Sequence, residues 1–399
     1  MLMKQTDAIN QNSFKFAERL NKLPVYLFAE IDRLKQEVKA KGVNVISFGI
    51  GDPDLSAPKS IVNVLKEESE IDINQKYPSY EGLLKFRESA ANWYEKRFGV
   101  LLDPQTEVLS LIGSKEGIGH LPLAFVNPGD IVLVPDPGYP VYNAGTIFAG
   151  GTPYIMPLKQ ENDFLPDFSI IPKSVFEKTR IMFLNYPNNP TSAKADKFFF
   201  SEVVKLAKKH NFIVAHDFAY SEVFTGDGDA EPESFLSVKG AKDIGVEFHS
   251  LSKTFNMTGF RIGFVCGNKQ ILSGLGAVKT NLDSGIFQPI QIAGAYGLDN
   301  ELQVIKENNK IYRKRKDLLV EGLERLGYNV YKSDVTFYVW AKVPVEGISS
   351  KDFALSLLND KGIVVTPGSG FGEYGEGYIR FSLTISEDRI TEALERMAQ

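Results

Sequence analysis

The chain of 399 residues is 43% hydrophobic and 12% aromatic, which is enough for a buried core in a large domain with a smaller companion. Its formal net charge is −5 and it has no long basic run, so a DNA-binding or RNA-binding function is not expected. With a single cysteine, Cys266, the chain cannot form an intramolecular disulfide framework. The sequence has neither the apolar core of a signal peptide nor an apolar run of ~20 residues, so we predict a soluble cytoplasmic protein without a membrane span.

The apolar pattern changes along the chain. Up to about residue 45 the sequence is polar and has the pattern of a helix. From about residue 105 to residue 265, short apolar runs alternate with helical segments, which is typical of buried strands in a largely parallel α/β sheet. These runs are EVLSLIG, DIVLVPD, RIMFLNYP, FIVAHDF, GVEFHSLS and RIGFVCG. After about residue 300, a charged helix, the run VTFYVWAKV, a further helix and the run YIRFSLT predict a smaller α+β domain.

We therefore predict an α/β fold in which a mostly parallel central sheet is flanked by helices and accompanied by a smaller α+β domain. Residues 1–48 are expected to form an N-terminal segment that packs with the small domain. Residues 49–295 are expected to form the large, ligand-binding domain, and residues 296–399 the small C-terminal domain.

The four histidines are His120, His210, His216 and His249. They form no HxxxH or HExxH pair, and no pair of cysteines adds to them, although such pairs supply the ligands of most zinc sites. We therefore predict no metal site, and structural or surface roles for most of the histidines.

Polar clusters follow five of the predicted strands at the point where each strand ends. Ligands of open parallel sheets bind outside the carboxyl ends of the strands, so these clusters are expected to meet in one crevice. The clusters are GSKEG (113–117), DPGYPVY (136–142), NYPNNPT (185–191), HDFAYSE (216–222) and SLSK (250–253).

Two of these clusters and a nearby arginine suit an anionic, planar ligand. GSKEG could begin a helix whose backbone N–H groups bind a phosphate, and Arg261 could add a charge-assisted contact. Taken alone, GSKEG is more typical of a simple helix cap. Tyr139, between a glycine and a proline, could stack on a flat ring or serve only in packing.

Asp217 and Lys253 narrow the ligand further. Asp217 ends an apolar strand, where a buried charge needs a partner: either a backbone amide or cation, or the protonated nitrogen of a ring. Lys253, taken alone, could be an ordinary surface or ion-pairing lysine. A phosphate site, a stacking ring, a carboxylate and a lysine together match pyridoxal 5′-phosphate, which we predict as the cofactor.

With these residues in place, the chain resembles the class I/II aminotransferases of the fold-type I pyridoxal-phosphate enzymes over nearly its whole length. Within that family it is most similar to the LL-diaminopimelate aminotransferase group. The strings that carry the family resemblance are NYPNNPT, HDFAYSE and SLSKTFNMTGFRIGF, and those that carry the narrower one are LPVYLFAEID, SFGIGDPD, YPSYEG, SLIGSKEGI, PDPGYPVY and TPGSGFGEYGEGYIRFSL.

The resemblance implies catalytic roles for Lys253, Asp217 and Tyr220. Lys253 would bind the cofactor covalently and move the substrate Cα proton, while Asp217 would keep the pyridine nitrogen protonated. Tyr220 and Asn189 would hydrogen-bond the ring hydroxyl. The remaining residues expected at the cofactor are Tyr139 on the ring, and Ser114, Lys115, Ser250, Ser252, Arg261 and the other subunit's Tyr77 around the phosphate.

The resemblance also implies a substrate site and a subunit arrangement. Arg380 would bind the substrate α-carboxylate, near Asn189 and the backbone of Gly51, and Tyr26 would close over the substrate. Family active sites form at the interface of a homodimer, so we expect one here.

The predicted reaction is transfer of an amino group from an L-amino acid to a 2-oxo acid in two exchange steps, in amino-acid biosynthesis. LL-diaminopimelate, aspartate and aromatic amino acids are the candidate donors. The same fold and lysine would also serve a carbon–sulfur β-lyase, which releases pyruvate and ammonia. A DNA-binding regulator built on this fold is not expected, because the sequence has no helix-turn-helix pattern and no basic patch.

The sequence departs from the family pattern at two places. Ser192 stands where glycine usually follows NPT, so a left-handed turn there would be strained. The stretch NLDSGIFQPIQ (281–291) lacks the asparagine that plant-type diaminopimelate enzymes carry after a phenylalanine, which bears on the choice of donor.

Overall fold

A computed structural model describes residues 14–23, 27–226 and 231–399, with the side chains of residues 27–30 left out. Tyr26, predicted to close over the substrate, lies outside the described residues.

The described strands form three sheets. They are β1 (Ile46–Ser47), β2 (Val108–Leu111), β3 (Ile131–Asp136), β4 (Thr152–Pro157), β5 (Thr179–Leu184), β6 (Ile213–Asp217), β7 (Gly245–Ser250), β8 (Gly263–Gly267), β9 (Val330–Tyr331), β10 (Tyr338–Lys342), β11 (Ile363–Val364), β12 (Thr366–Pro367) and β13 (Tyr378–Ser382).

Helices connect and cover these strands. They are α1 (Glu18–Asn21), α2 (Leu27–Ala40), α3 (Lys59–Ser69), α4 (Leu84–Phe98), α5 (Ser114–Phe125), α6 (Val141–Phe148), α7 (Lys173–Phe176), α8 (Lys197–His210), α9 (Leu251–Thr254), α10 (Lys269–Leu282), α11 (Gln288–Asn300), α12 (Leu302–Arg325), α13 (Ser350–Lys361) and α14 (Glu387–Ala398). None of the described helices is long and apolar enough to cross a membrane.

Helix α8 shows how the sequence sets such an element. The carboxylate of Asp196 caps the helix by accepting the Phe199 N–H at 2.8 Å, and Asn211 ends it in a left-handed conformation with φ of +55°. In between, one face is apolar and buried against the sheet, while the opposite face carries lysines. The buried residues of that face are Phe199, Phe200, Val203, Val204 and Ala207.

The central sheet has seven strands in the order β2-β8-β7-β6-β5-β3-β4. Only β8 runs against its neighbours, so the predicted mostly parallel sheet is confirmed. Side chains alternate between two cores: on β5, Ile181 and Phe183 join a core with helices α5, α6 and α10, whereas Met182 and Leu184 join one with α4, α8 and α11. Because both faces are covered, the central strands read as continuous apolar runs.

The C-terminal strands form a separate antiparallel sheet in the order β12-β13-β10-β9. Strand β1 pairs in parallel with β11, with Ile46 opposite Ile363, and both residues belong to the core of this part of the chain. The smaller α+β architecture after residue 300 is thus observed, while the exact domain boundaries at residues 48 and 295 stay a prediction.

The carboxyl ends of β2, β3, β5, β6 and β7 lie on one edge of the central sheet, because these five strands run in the same direction. The five polar clusters begin at these ends. Strand β13 approaches the same edge from the small sheet, since Arg380 on it contacts Asn189 in the cluster after β5.

Candidate active site

Asp217, the last residue of β6, is buried. Its Oδ2 accepts a hydrogen bond from the Tyr142 hydroxyl at 2.8 Å, whereas its buried Oδ1 has no hydrogen-bond partner within the described part of the chain. Burial raises the pKa of Asp217, and the Tyr142 hydrogen bond and the nearby His216 act in the opposite direction. A cationic N–H group placed at Oδ1 would satisfy this oxygen and favour the carboxylate.

Lys253 lies in the short helix α9, directly after β7, and its Nζ donates to the Gly51 carbonyl at 2.8 Å. The amine also lies 5.5 Å from the centroid of the Phe337 ring. Burial lowers the pKa of Lys253 to about 8, against the attraction of Asp52. A substantial neutral fraction at pH near 8 suits a lysine that reacts as a nucleophile and a base.

Lys115 and Arg261 meet at the start of α5. Burial and the charge of Arg261 lower the pKa of Lys115, which places the two cations near each other. Gly113 precedes the helix with φ of +76°, and a Cβ there would come within 2.3 Å of Arg261 Nη2. Backbone N–H groups at the helix start and two cationic side chains make a site for a phosphate, and Ser114 is the first residue of the helix.

Ser250 and Ser252 flank this region from the end of β7 and the start of α9, and both are buried. Gly263, opposite Ser250 on β8, allows close approach: a Cβ there would lie 3.1 Å from the Ser114 backbone nitrogen. The two strands and the α5 helix start therefore lie in contact at the predicted phosphate site.

The cluster after β5 is organised by its own asparagines. Asn185 Nδ2 donates to the Asp217 carbonyl at 2.7 Å, and Asn185 Oδ1 accepts the Asn189 N–H at 2.8 Å. Asn188 Oδ1 accepts both the N–H and the hydroxyl of Thr191. Asn185 and Asn188 therefore fix the turn, which leaves the Asn189 side chain to face the site.

Arg380 is buried, and contacts with its neighbours hold its guanidinium in one orientation. Its Nη1 donates to Asn189 Oδ1 at 2.6 Å, and its Nη2 donates to the Gly49 carbonyl at 2.8 Å. Its guanidinium carbon lies 4.1 Å from the centroid of the Tyr338 ring and 4.8 Å from that of Phe371. A planar cation held in this way can bind a carboxylate with two parallel hydrogen bonds.

Tyr338 lies between Arg380, the predicted substrate ligand, and Tyr220, a predicted cofactor ligand. Its hydroxyl lies 3.0 Å from the hydroxyl of Tyr220, which is also buried. A Cβ on residue 51 would lie 1.9 Å from the Tyr338 hydroxyl, so only glycine fits there. The predicted residues Tyr220, Arg380 and Gly51 thus meet around this one tyrosine.

Tyr139 and Tyr77 differ in their surroundings. Tyr139 is half-buried, with its ring centroid 6.0 Å from that of Tyr142 and 5.6 Å from Lys115 Nζ, which places it beside the predicted cofactor position. The side chain of Tyr77 is 88% exposed on this single chain. Its predicted role at the other subunit's phosphate stays a prediction.

The residues present fit pyridoxal 5′-phosphate. The buried Asp217 Oδ1 lacks a donor within the described residues, and the ring nitrogen of the cofactor, when protonated, is such a donor. The cationic helix start offers a phosphate site, where Gly113 leaves room beside Arg261. Lys253, with its pKa of about 8, would supply the amine.

Sequence reasoning missed Tyr142, Asn185 and Tyr338. Tyr142 and Asn185 lie inside the clusters DPGYPVY and NYPNNPT, so their positions next to the strand ends were a usable signal. Tyr338 reaches the site from β10, and its hydroxyl partner Tyr220 is 118 residues away in the sequence. No local pattern distinguishes it from the other apolar residues of that strand.

One cluster of possible metal ligands occurs among the described residues, formed by Glu116, His120 and Asp283. The ammonium of Lys279 already binds both carboxylates, at 3.1 Å from Glu116 Oε2 and 3.0 Å from Asp283 Oδ2. These contacts make the cluster an ion-pair network that joins α5 to α10.

Known proteins resemble this chain over nearly its whole length. Residues 43–397 match the family of class I and II aminotransferases. A protein named LL-diaminopimelate aminotransferase from Aquifex aeolicus (strain VF5) is 56% identical over 384 residues, which cover 96% of this chain and 98% of the relative. One of the same name from Syntrophobacter fumaroxidans is 54% identical over 96% of this chain and 98% of the relative. Among solved structures, substrate-bound BacF from Bacillus subtilis has a TM-score of 0.92 and 37% identity, over 96% of this chain and 97% of that one.

Proposed function

This chain belongs to the class I and II aminotransferases, and we propose that its amino donor is LL-diaminopimelate. It is a fold-type I enzyme that depends on pyridoxal 5′-phosphate and takes amino acids and 2-oxo acids as substrates. The observation that carries the choice of donor is the 56% identity with a protein named for this donor, over 96% of the chain. The carbon–sulfur lyase alternative is not favoured by these comparisons.

We assign the proton transfer to Lys253. When bound, pyridoxal 5′-phosphate supplies an aldehyde that links to amino groups and a ring that takes up electrons as the substrate Cα proton leaves. Lys253 Nζ, neutral above its pKa of about 8, can accept that proton and return it. The Gly51 carbonyl, 2.8 Å away, holds the amine in a fixed position.

Asp217 supports this chemistry through charge. Its free Oδ1 would accept a hydrogen bond from the ring nitrogen, and the opposite charge would lower the pKa of the buried carboxyl. Tyr142 and Asn185 hold its side chain and its backbone, so the carboxylate is fixed before the cofactor binds.

The position of Arg380 supports its proposed role, which is to bind the substrate carboxylate. Its guanidinium is packed between Tyr338 and Phe371 and held by Asn189, which limits its freedom before substrate arrives. Preorganisation of this kind reduces the entropy lost on binding. Tyr220 and Asn189 would bind the ring hydroxyl of the cofactor.

We also propose a cytoplasmic homodimer with shared active sites. Exposed Tyr77 lies in a region rich in exposed apolar side chains, which supports an interface there. A cytoplasmic location suits an amino-acid biosynthetic enzyme whose single cysteine, Cys266, is buried and unpaired.

A steady-state assay of the purified enzyme tests the reaction and the donor together. With 2-oxoglutarate as acceptor, we expect LL-diaminopimelate to support amino transfer with kcat/KM at least about tenfold above aspartate and phenylalanine. In separate samples without acceptor, a cysteine-type thioether replaces the donor, and ammonia and pyruvate are measured. Their release from a cysteine-type thioether would contradict transamination, and equal rates for all donors would contradict the donor.

A further inference from the structure

Two buried residues with strained backbones face each other beside the active site. Ser192, after the NYPNNPT turn, has φ of +63°, and Thr336, before β10, has φ of +58°. Residues other than glycine rarely adopt this backbone conformation, and β-branched residues such as threonine adopt it least of all. The two hydroxyl oxygens are 2.7 Å apart. Strain at both partners of one hydrogen bond points to a role that glycine could not fill.

The two hydroxyls form a ring of hydrogen bonds with the backbone of a single residue. Ser192 Oγ donates to the Tyr338 carbonyl at 3.0 Å, and the Tyr338 N–H donates to Thr336 Oγ1 at 3.0 Å. Each hydroxyl has one proton. Since Ser192 gives its proton to Tyr338, Thr336 must donate across the pair. The N–H and the carbonyl of Tyr338 are therefore both fixed by these hydroxyls.

Ser192 is in turn tied to the loop that carries Asn189. Its N–H donates to the Asn188 carbonyl at 2.9 Å, and its carbonyl accepts the Ser333 hydroxyl at 2.5 Å. The ring of hydrogen bonds thus joins the cluster after β5 to the start of β10. These are the two segments that hold Arg380 between Asn189 and the Tyr338 ring.

We propose that Ser192 and Thr336 are positioning residues that fix Tyr338, and through it Arg380, in the geometry that binds the substrate carboxylate. Neither residue contacts Arg380 in the described hydrogen bonds; both act through Tyr338, whose ring lies 4.1 Å from the guanidinium carbon. The proposal rests on the carboxylate-binding role of Arg380, and it does not depend on which amino acid is the donor.

The variants Ser192→Gly and Thr336→Val test it in the holoenzyme. Glycine accepts the positive φ at residue 192 and valine keeps the branched shape of threonine at residue 336, so each variant removes one hydroxyl without adding a side-chain clash. The rate at which LL-diaminopimelate changes the cofactor spectrum is followed against donor concentration; aspartate replaces it if only aspartate reacts with the unsubstituted enzyme. We expect the apparent donor affinity to fall about three- to tenfold, with the limiting rate changed less than about twofold.

The double variant and a control separate positioning from ordinary packing. If the hydroxyls act as one unit, Ser192→Gly combined with Thr336→Val should weaken donor affinity no more than either change alone. The control Ser201→Ala removes a hydroxyl of α8 whose one hydrogen bond among the described residues is to the Lys197 carbonyl at 2.7 Å. It should change neither quantity. Unchanged donor affinity in both single variants, whatever their melting temperatures, would overturn the proposal. An unsubstituted enzyme that reacts with no donor would instead refute the proposed function.

Discussion

The two carboxylate oxygens of Asp217 have different surroundings, and our proposal for the position of the cofactor ring rests on this difference. Oδ2 is occupied by the Tyr142 hydroxyl, while Oδ1 is buried and accepts nothing from the described residues. In a buried site, such an oxygen is costly until a donor arrives. We therefore expect a cationic donor to bind Asp217 at Oδ1, since Oδ2 already has a partner.

Asp217→Asn should keep the fold and lose most of the activity. The amide has the same shape, but it removes the charge that, in our proposal, keeps the ring nitrogen protonated. We expect the limiting rate of the half-reaction, measured by stopped-flow absorbance, to fall at least about 100-fold. Asp360→Asn, on the exposed end of α13, is the matched control and should react at the unsubstituted rate. A loss below about threefold at Asp217 would contradict its assigned role.

The pH dependence of cofactor uptake should report Lys253. Burial lowers its pKa from 10.5 to about 8, and only the neutral amine attacks an aldehyde. For apo protein mixed with pyridoxal 5′-phosphate, the rate of the visible spectral change should rise with pH and level off above pH about 8. Lys253→Ala should show no such change. A rate that still rises near pH 10 would mean that the site does not depress the pKa of this lysine.

Several of these residues could be predicted from sequence and others could not, for a physical reason. Asp217 and Lys253 end or follow apolar strands, so their unusual settings are visible locally. Tyr338 contributes through its contacts with Tyr220 and Arg380, which come from other parts of the chain. Such contacts depend on tertiary packing, which local patterns do not encode.

At the level of elements, the segment from residue 333 to residue 338 links the small sheet to the site, as strand β13 does through Arg380. The ammonium of Lys316, on α12, donates to the carbonyls of Ser333, Val335 and Thr336 at 3.0–3.2 Å. Phe337 and Tyr338 follow directly, beside Lys253 and Arg380. A single buried lysine thus holds the backbone that presents both aromatic rings.

Lys316→Met should destabilise the protein because three carbonyls, two of them buried, would lose their donor. We expect the free energy of unfolding of the apo protein, from urea titration followed by circular dichroism, to fall by about 2–4 kcal/mol. Lys314→Met is the matched control on the same helix. Its exposed ion pair with Glu387 should contribute less than about 1 kcal/mol. Equal effects of the two changes would show that the carbonyl contacts are unimportant.

The strands show the same limit of sequence-based prediction as the residues. The central strands β3, β5, β6 and β7 were visible as apolar runs because helices bury both of their faces. Edge strand β4 (Thr152–Pro157) was missed, since it is partly exposed and contains two prolines. The reversed direction of β8 was also missed, because an antiparallel strand buried on both faces has the same apolar composition as its parallel neighbours.

For the whole molecule, an exposed apolar surface marks the expected dimer interface. Its members are Ile73 (67% exposed), Tyr77 (88%), Leu282 (60%) and Phe287 (43%). The two segments that contain them are adjacent, since Gln288 Nε2 donates to the carbonyls of Ile73 and Lys76. Apolar patches of this kind usually mark interaction sites.

The purified enzyme should therefore elute as a dimer, with a mass by light scattering of twice the chain mass of 44.4 kDa. Ile73→Asp should shift it toward the monomer, because a charge buried at an apolar interface has no partner.

Tyr77→Phe should leave the dimer intact and weaken cofactor binding about tenfold or less, since it removes only one hydroxyl. A monomeric enzyme with full activity would contradict the shared active site.

The measurement that tests the central claim most directly is the visible spectrum of the cofactor-bound enzyme as single amino acids are added without any 2-oxo acid. The absorption of the bound cofactor changes when it takes up an amino group, so each donor is judged by one exchange step. We predict that LL-diaminopimelate produces this change at donor concentrations at which aspartate and phenylalanine do not. A change produced by aspartate or phenylalanine alone would contradict the proposed donor, and a protein that takes up no cofactor at Lys253 would contradict the whole account.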